Sequence, residues 1–203
     1  MQRLQHRLTA LASSLPAAAR LDADSAEESL AAALLHDLGH GPFSHLFEEV
    51  LPGALHHEDW TQAVLLAQDS EVHRALETRT TGLAARVAAL LRGEHRLSYL
   101  PATLSGTLDV DRADYLLRDS HMSGVRYGLY DLDWLLQAQT VVQVPRASGP
   151  DIFCLAVEGR KGLPPIESFF LGRHFMYQQV YHHKAVRAAE TLVRWLFRRL
   201  RCL

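Results

Sequence analysis

The residues from His36 to His45, HDLGHGPFSH, constrain the fold of this chain more than any other stretch, and we call them the His-Asp segment. The segment holds three histidines and one aspartate, which are costly to bury unless they pair, form hydrogen bonds or bind a metal. Gly39, Gly41 and Pro42 end a helix and turn the backbone, so that His45 can return toward the start of the segment. The fold must therefore supply polar partners at this turn.

The sequence around the His-Asp segment is predominantly helical. Residues 27–38 are rich in Ala and Leu, and Ser25 with Glu28 forms a capping-box pattern at the start of that helix. Similar patterns predict further helices over residues 58–67, 81–92, 109–118, 131–139 and 166–201. We therefore predict an all-α fold in one domain, since a chain of 203 residues has the length of a single domain.

One stretch departs from the helical pattern. Residues 140–144 (TVVQV) and 151–157 (DIFCLAV) are rich in β-branched and apolar residues, and Ser148-Gly149-Pro150 lies between them. This pattern predicts one small β-hairpin over residues 140–157 in an otherwise helical protein.

The His-Asp segment favours a metal or catalytic site over a set of satisfied polar residues. His36 and His40 are four residues apart and share a face if the helix continues. Imidazole and carboxylate groups together suit a divalent cation. The spacing also invites comparison with the H-E-x-x-H motif of zinc proteases, but that motif needs a glutamate on an uninterrupted helix. Here the acid is Asp37, and Gly39 interrupts the motif, so the protease interpretation is disfavoured.

Two other helical stretches carry polar stripes. On residues 109–119, the side chains of Asp111, Tyr115, Arg118 and Asp119 share a face, which is either a solvated surface or a source of one more metal ligand. The second stripe combines cations and phenols, which suit a phosphate beside a sugar or base, and consists of Arg173, Tyr177, Tyr181 and Lys184. The alternative for this stripe is tyrosine packing with the cations extended to solvent.

Taken together, these segments resemble the HD-domain phosphohydrolases, and among them the deoxynucleoside triphosphate triphosphohydrolases. The resemblance rests on HDLGHGPFSHLFEE, on LDVDRADYLLRDSHMSGVRYG and on ESFFLGRHFMYQQVYHHKAVRAAE, which occur in the family's order. It runs from about Arg3 to about Glu190. It implies a single HD domain over residues 1–203, with a core at 3–139, the hairpin at 140–157 and a substrate-contacting helix at 166–201.

The resemblance also implies a ligand set for one divalent metal ion, whose identity among Mg, Mn, Fe, Zn and Ni stays open. The implied ligands are His6, His36, Asp37 and Asp111. His6 comes from Arg3-Leu4-Gln5-His6, the one match to the family's R-x-x-H pattern. The histidines that match positions near the reacting phosphate are His40, His45 and His57.

The implied substrate is a nucleotide, most specifically a dNTP. Residues that match phosphate-side contacts are Arg3, Arg112, Tyr115 and Arg173. Those that match deoxyribose contacts are Asp119 and Tyr181, and Tyr177 and Lys184 belong to the same stripe. The reaction expected is hydrolysis of a dNTP to deoxynucleoside and tripolyphosphate. The alternatives are hydrolysis of another phosphoester, such as a nucleoside monophosphate, and a non-catalytic nucleotide-binding module. Relatives carry segments before Arg3 and after the last helix, so we expect that this chain lacks them.

Composition narrows the possible partners and compartment. A formal net charge of −2 argues against a protein that mainly coats nucleic acid. Two cysteines, Cys154 and Cys202, are too few for a disulfide framework, so the expected location is cytoplasmic. No apolar run approaches the ~20 residues of a membrane-spanning helix. The basic and apolar helix at residues 187–201 is expected to be exposed or to contact another subunit, which fits the family's tendency to form homo-oligomers. Nucleic-acid binding at this helix is possible but not favoured.

Overall fold

The computed structural model describes residues 1–50, 53, 55–149 and 151–201. Its α-helices are α1 (Gln2–Ala10), α2 (Ala23–Leu35), α3 (His45–Val50), α4 (His57–Leu66), α5 (Glu71–Arg79), α6 (Leu83–Leu91), α7 (Val110–Ser123), α8 (Leu132–Ala138), α9 (Gly159–Met176) and α10 (Lys184–Leu200). Short 3₁₀ turns lie at Ala12–Ser14, Ala17–Ala19 and Pro101–Thr103, and a π turn at Tyr177–Tyr181. The predicted, mainly α fold class is confirmed.

The predicted hairpin is present as strands β1 (Gln139–Val144) and β2 (Ile152–Val157). The strands are antiparallel, with Gln139 opposite Val157 and Val144 opposite Ile152. Pro150, in the connection between them, lies outside the described residues, as does Cys202. Among the described residues, no helix is both long and apolar enough to cross a membrane.

Two helical predictions needed correction, and one helix was not predicted. The helix at residues 27–38 begins earlier, because Asp22 Oδ1 accepts the Ser25 N–H at 2.8 Å and so takes the capping role assigned to Ser25. Helix α5 was not predicted, although Ser70 caps it by accepting the His73 N–H. The single helix predicted over residues 166–201 begins at Gly159, ends at Met176 and resumes at Lys184 after the π turn.

The chain folds as two compact units. The first unit comprises Met1–Ala33 and Ala89–Met176, and the second comprises Leu34–Ala88 and Tyr177–Leu203.

In the first unit, buried contacts join segments that are distant in sequence. The Arg7 Nε–H donates to the Gln139 carbonyl at 2.9 Å, which fixes α1 beside β1. The Tyr99 hydroxyl donates to the Ala19 carbonyl at 3.1 Å, and burial raises the pKa of Tyr99 to about 12. His95 and Glu28 form a buried pair at 3.0 Å. Helices α7 and α9 pack against each other in the same unit, where Leu116 and Phe169 are fully buried.

In the second unit, α3 packs against α10 and α4 packs against α5. Arg194 on α10 makes two hydrogen bonds to the Glu49 carboxylate on α3, at 2.9 and 2.8 Å. The rings of Phe47 and Phe197 meet edge to face at 6.1 Å between centroids. This packing positions α3, which begins with His45. The candidate site is built on the first turns of α3 and α4.

Candidate functional site

The His-Asp segment turns twice between α2 and α3. Helix α2 ends at Leu35, and α3 begins at His45. Phe43 and Ser44 both adopt left-handed backbone angles, with φ of 67° and 52°. Such angles cost about 1–3 kcal/mol each for residues other than glycine, and they persist only where surrounding contacts hold them. The strained turn returns the chain, so that His45 follows directly after it.

Gly39 lets the His-Asp segment lie directly against α4. A Cβ atom at Gly39 would come within 2.0 Å of the His57 carbonyl oxygen and 2.5 Å of the Thr61 nitrogen. Thr61 fixes this approach, since its Oγ1 accepts the Gly39 N–H at 2.9 Å and donates to the His36 carbonyl at 3.0 Å. Thr61 is 1% exposed, so both hydrogen bonds are shielded from water. As a result, His36–His40 and His57 are held close together.

Glu48 on α3 is the centre of a histidine cluster. Its Oε1 atom lies 2.9 Å from Nδ1 of His57, 3.4 Å from Nδ1 of His40 and 3.7 Å from Nδ1 of His45. Its Oε2 atom lies 3.2 Å from Nδ1 of His56. The Glu48 side chain is 14% exposed, whereas those of His45 and His56 are 75% and 79% exposed. We call His40, His45, Glu48 and His57 the His-Glu cluster.

The rings of the His-Glu cluster are also in contact. The rings of His40 and His57 stack with centroids 3.9 Å apart and planes 16° apart. His45 meets both of them edge to face, at 4.7 and 5.1 Å. The three histidines that the sequence predicts as catalytic are therefore one constellation, contributed by a loop and by the first residues of α3 and α4.

The environment shifts the pKa values of two groups in the cluster. Burial by itself raises the pKa of the Glu48 carboxyl, but hydrogen bonds from His56 and His57 and the charge of nearby imidazoles hold it below its ordinary value. Burial lowers the pKa of the His40 imidazole, and His57 lowers it further in spite of Asp37. At neutral pH the cluster therefore pairs a carboxylate with a neutral His40.

His36 and Asp37 lie beside this cluster and offer metal-binding atoms. Nε2 of His36 is 3.4 Å from Oδ2 of Asp37, and Oδ1 of Asp37 is 3.6 Å from Nε2 of His40. An imidazole nitrogen and a carboxylate oxygen at this separation can bind the same divalent ion, because neighbouring ligands at about 2.0–2.2 Å from a metal are roughly 3.3 Å apart. The donor chemistry of this pair therefore fits the metal that the sequence predicts.

The other predicted ligands lie in the first unit. His6 is exposed on α1, and Asp111 is half-buried in the first turn of α7. Tyr115 and Asp119 follow on the same helix and are half-buried, while Arg118 pairs with the exposed Asp114 at 2.8 Å. The metal-binding roles of His6 and Asp111 stay predictions.

A cleft in the first unit brings two predicted phosphate contacts together. Its volume is about 420 Å³, and its lining consists of Ser105, Gly106, Thr107, Arg112, Phe170 and Arg173. The Arg112 guanidinium bonds to the Gly106 carbonyl and to Asp109, which also accepts the Arg112 N–H at 2.7 Å as the cap of α7. Burial raises the pKa of the Asp109 carboxyl despite these hydrogen bonds. Two guanidinium groups at one cleft are suited to an anion.

The residues that line this cleft do not include four others that are predicted to contact the substrate, which are Arg3, Tyr177, Tyr181 and Lys184. Arg3 is exposed and forms an ion pair with Asp133 in the first unit. In the second unit, the rings of Tyr177 and Tyr181 meet edge to face at 5.1 Å, and Lys184 is exposed at the start of α10. Because the π turn at Tyr177–Tyr181 changes the number of residues per turn, the helical spacing that predicted one stripe from Arg173 to Lys184 does not hold there.

Sequence reasoning missed Glu48, His56 and Thr61. Glu48 was one of two adjacent acids on a short helix, and nothing in its spacing separated it from Glu49. Both acids share a helix face with His45, since residues three and four apart are neighbours on a helix, so only the fold distinguishes Glu48 from Glu49. Thr61 carried no signal, because its role depends on which backbone atoms the fold brings to its hydroxyl.

Comparison with known proteins gives a consistent picture. Residues 3–119 match the model of the HD domain. The uncharacterized protein YwfO of Bacillus subtilis is 37% identical over 182 residues, which are 90% of this chain and 39% of that protein. A protein of Dictyostelium discoideum, described as a deoxynucleoside triphosphate triphosphohydrolase SAMHD1 homolog, is 30% identical over 175 residues, 80% of this chain and 31% of its own length.

A solved structure extends the comparison to three dimensions. The crystal structure of a phosphohydrolase from Bacteroides thetaiotaomicron superposes with a TM-score of 0.74 at 30% sequence identity. The match covers 95% of this chain and 42% of that one. The chain thus spans between about a third and about two fifths of the length of these relatives.

Proposed function

The chain belongs to the HD-domain family, and we propose that it is a metal-dependent phosphohydrolase that converts dNTPs to deoxynucleoside and tripolyphosphate. One observation carries this proposal: His40, His45 and His57, which are separate in sequence, converge on Glu48 beside the His36–Asp37 pair. Such a concentration of titratable groups next to a metal-binding pair supports metal-assisted hydrolysis, in which imidazoles can transfer protons near the reacting phosphate.

The proposed metal ligands are His36 and Asp37, with Asp111 and His6 completing the set that the family resemblance assigns. When bound, a divalent ion polarises a phosphoryl oxygen and lowers the pKa of a coordinated water. The family resemblance does not identify the ion. His36 and Asp37 supply one neutral and one anionic donor, a mixed set that Mn²⁺, Fe²⁺, Ni²⁺ and Zn²⁺ all accept.

His57 is oriented for proton transfer by Glu48. Its Nδ1 atom is 2.9 Å from the Glu48 carboxylate, so Nδ1 carries the proton that it donates to that oxygen. This tautomer leaves the lone pair on Nε2, which can accept a proton from a water or return one to a leaving oxygen. His45 makes a longer contact with the same oxygen, at 3.7 Å, and is more exposed. We assign His57 as the principal acid–base group and His45 as its partner.

Arg112 and Arg173 are the proposed phosphate contacts. They line the same cleft, and Asp109 holds the Arg112 guanidinium in place. Guanidinium groups stabilise negative charge as it develops on phosphoryl oxygens. The further substrate contacts proposed from the family resemblance are Arg3, Tyr115, Asp119, Tyr177, Tyr181 and Lys184.

The dNTP substrate is the most specific part of the proposal. It is supported by the sequence resemblance and by the Dictyostelium relative, whose name states that activity. Self-association and a cytoplasmic location remain predictions.

The deciding experiment is incubation of the purified, metal-loaded chain with each of the four dNTPs, with products separated by anion exchange. The expected products are deoxynucleoside and tripolyphosphate, and His57→Ala is expected to abolish their formation while leaving the metal bound. Release of orthophosphate from nucleoside monophosphates would instead identify a different phosphoester substrate. Binding of dNTP without any product would refute the enzymatic proposal.

A further inference from the structure

Helix α10 (Lys184–Leu200) presents large apolar side chains to solvent. Four of them are between 56% and 63% exposed, and they are Leu192, Trp195, Leu196 and Leu200. Residues three, four and eight positions apart lie on one face of a helix, so these four form a continuous surface. We call them the apolar stripe.

The other side of α10 packs on α3. Its half-buried residues there are Glu190, Val193, Arg194 and Phe197. Arg194 makes two hydrogen bonds to Glu49, and Phe197 meets Phe47 edge to face. An amphipathic surface helix ordinarily turns its apolar face toward the core. In α10 charged groups share the inward face, and the apolar stripe points outward, where it can meet a partner.

The charge of α10 defines the partner that fits the apolar stripe. Residues 191–201 contain no Asp or Glu, and their cations are Arg194, Arg198, Arg199 and Arg201. Arg194 is held by Glu49, whereas the other three arginines are exposed. Arg199 follows Trp195 by four residues and therefore lies within the stripe. A partner that covers this face must be apolar and carry negative charge in the same place.

An anionic lipid bilayer meets both requirements. Two copies of α10 packed through their stripes would bury Arg199 of each, and residues 191–201 offer neither of them a carboxylate. A nucleic acid supplies phosphates for the arginines but does not bury the leucines. A bilayer surface offers acyl chains to the apolar side chains and anionic headgroups to the arginines beside them.

We propose that α10 docks the protein on the surface of an anionic lipid bilayer. The helix lies in the plane of the surface, with the apolar stripe at the boundary between headgroups and acyl chains. Arg199 extends its guanidinium to the headgroups, and Trp195 suits the boundary because an indole has an apolar body and one N–H donor. The net charge of the chain is −2, so the attraction is local to α10.

The first test is cosedimentation of the full chain with vesicles of phosphatidylcholine and phosphatidylserine, and with vesicles of phosphatidylcholine alone. We expect binding only where phosphatidylserine is present, and weaker binding as salt is added. The double variant Arg198→Gln, Arg199→Gln should partition at least about tenfold more weakly, since each basic residue near an anionic surface contributes roughly fivefold. The control Arg126→Gln, Arg160→Gln removes equal charge from exposed sites outside α10 and should bind nearly as wild type does.

The second test separates insertion of the apolar stripe from attraction of charge. Leu196→Ser should weaken vesicle binding about fivefold, since a leucine that leaves water contributes up to about tenfold. Leu163→Ser, on α9, is the matched control, because Leu163 is 54% exposed and Leu196 is 57% exposed. Trp195→Phe should bind vesicles but lose the shift of tryptophan fluorescence to shorter wavelength, which Trp134→Phe should keep.

Several results would overturn the proposal. One is the absence of wild-type binding to phosphatidylserine vesicles, and another is equal weakening in the two arginine double variants or in the two serine variants. A dimer that Leu196→Ser dissociates, found without vesicle binding, would assign the stripe to a second copy instead. Binding to duplex DNA but not to vesicles would assign the arginines to nucleic acid. These measurements do not involve hydrolysis, so their failure would leave the proposed function untouched.

Discussion

Replacement of Thr61 by valine tests how the fold positions the proposed metal ligands. Valine has nearly the same shape but lacks the hydroxyl that accepts the Gly39 N–H and donates to the His36 carbonyl. Each hydrogen bond contributes about 0.5–1.5 kcal/mol, and a buried amide left without an acceptor costs about 1–3 kcal/mol. Because Thr61 is 1% exposed, water cannot replace the hydroxyl. We expect a loss of about 2–4 kcal/mol in the free energy of unfolding.

The same substitution should weaken metal binding. His36 and Gly39 flank Asp37, so loss of their link to α4 loosens the pair that offers the metal its donors. Residues that orient metal ligands contribute roughly 10–100-fold in affinity, and we expect a decrease of about tenfold. The assays are thermal unfolding followed by circular dichroism, where a drop of roughly 4–16 °C is expected for a chain of this size, and metal titration.

Thr103→Val is the matched control for this test. Thr103 is also fully buried, but its hydroxyl donates to the Leu100 carbonyl, which still accepts the Thr103 N–H at 3.0 Å. Its loss should cost about 1 kcal/mol and leave metal affinity unchanged. The reasoning is refuted if Thr61→Val and Thr103→Val have the same melting temperature and the same metal affinity.

Three further predictions follow from other contacts. Asp37→Asn should abolish binding of the metal proposed at His36 and Asp37, measured by elemental analysis, and metal-dependent turnover, because an amide oxygen lacks the charge of the carboxylate. Gly39→Ala should destabilise the protein by at least about 3 kcal/mol in urea unfolding, since its Cβ would lie 2.0 Å from the His57 carbonyl oxygen. Burial raises the pKa of Tyr99 to about 12 from an ordinary value near 10, so the folded state keeps a proton that the unfolded state releases. Stability should therefore fall by about 1–3 kcal/mol as the pH rises from about 10 to about 12, and Tyr99→Phe should lessen that fall.

The first two of these predictions have a control variant within the chain. Asp59→Asn, at an exposed acid on α4, should keep both metal and turnover. Gly159→Ala, where a Cβ would meet nothing within 4 Å, should leave stability unchanged. Equal metal content and turnover in Asp37→Asn and Asp59→Asn would contradict the metal-ligand role of Asp37. Equal stability in Gly39→Ala and Gly159→Ala would contradict the steric argument for Gly39. Identical dependence of stability on alkaline pH in wild type and Tyr99→Phe would contradict the argument for Tyr99.

The sequence predicts a secondary-structure element well where the residues that favour it are neighbours in the chain. The hairpin predicted over residues 140–157 is found at Gln139–Val144 and Ile152–Val157, because β-branched residues on both sides of a glycine-containing turn act within a short window. Errors occur where packing overrides a local pattern. Pro164 and Pro165 lie inside α9 rather than before it, and Pro165 is buried there.

The sequence by itself determined that this is a helical protein with a histidine- and aspartate-rich turn, and its motifs identified the family. Both follow from residue types and short spacings, which are present before the chain folds. Only the tertiary structure decided that Glu48 is the residue on which three histidines converge and that Thr61 joins the turn to α4. Their roles depend on which atoms lie within about 3–4 Å of them, and that separation is set by the packing of helices distant in sequence rather than by any pattern along the chain.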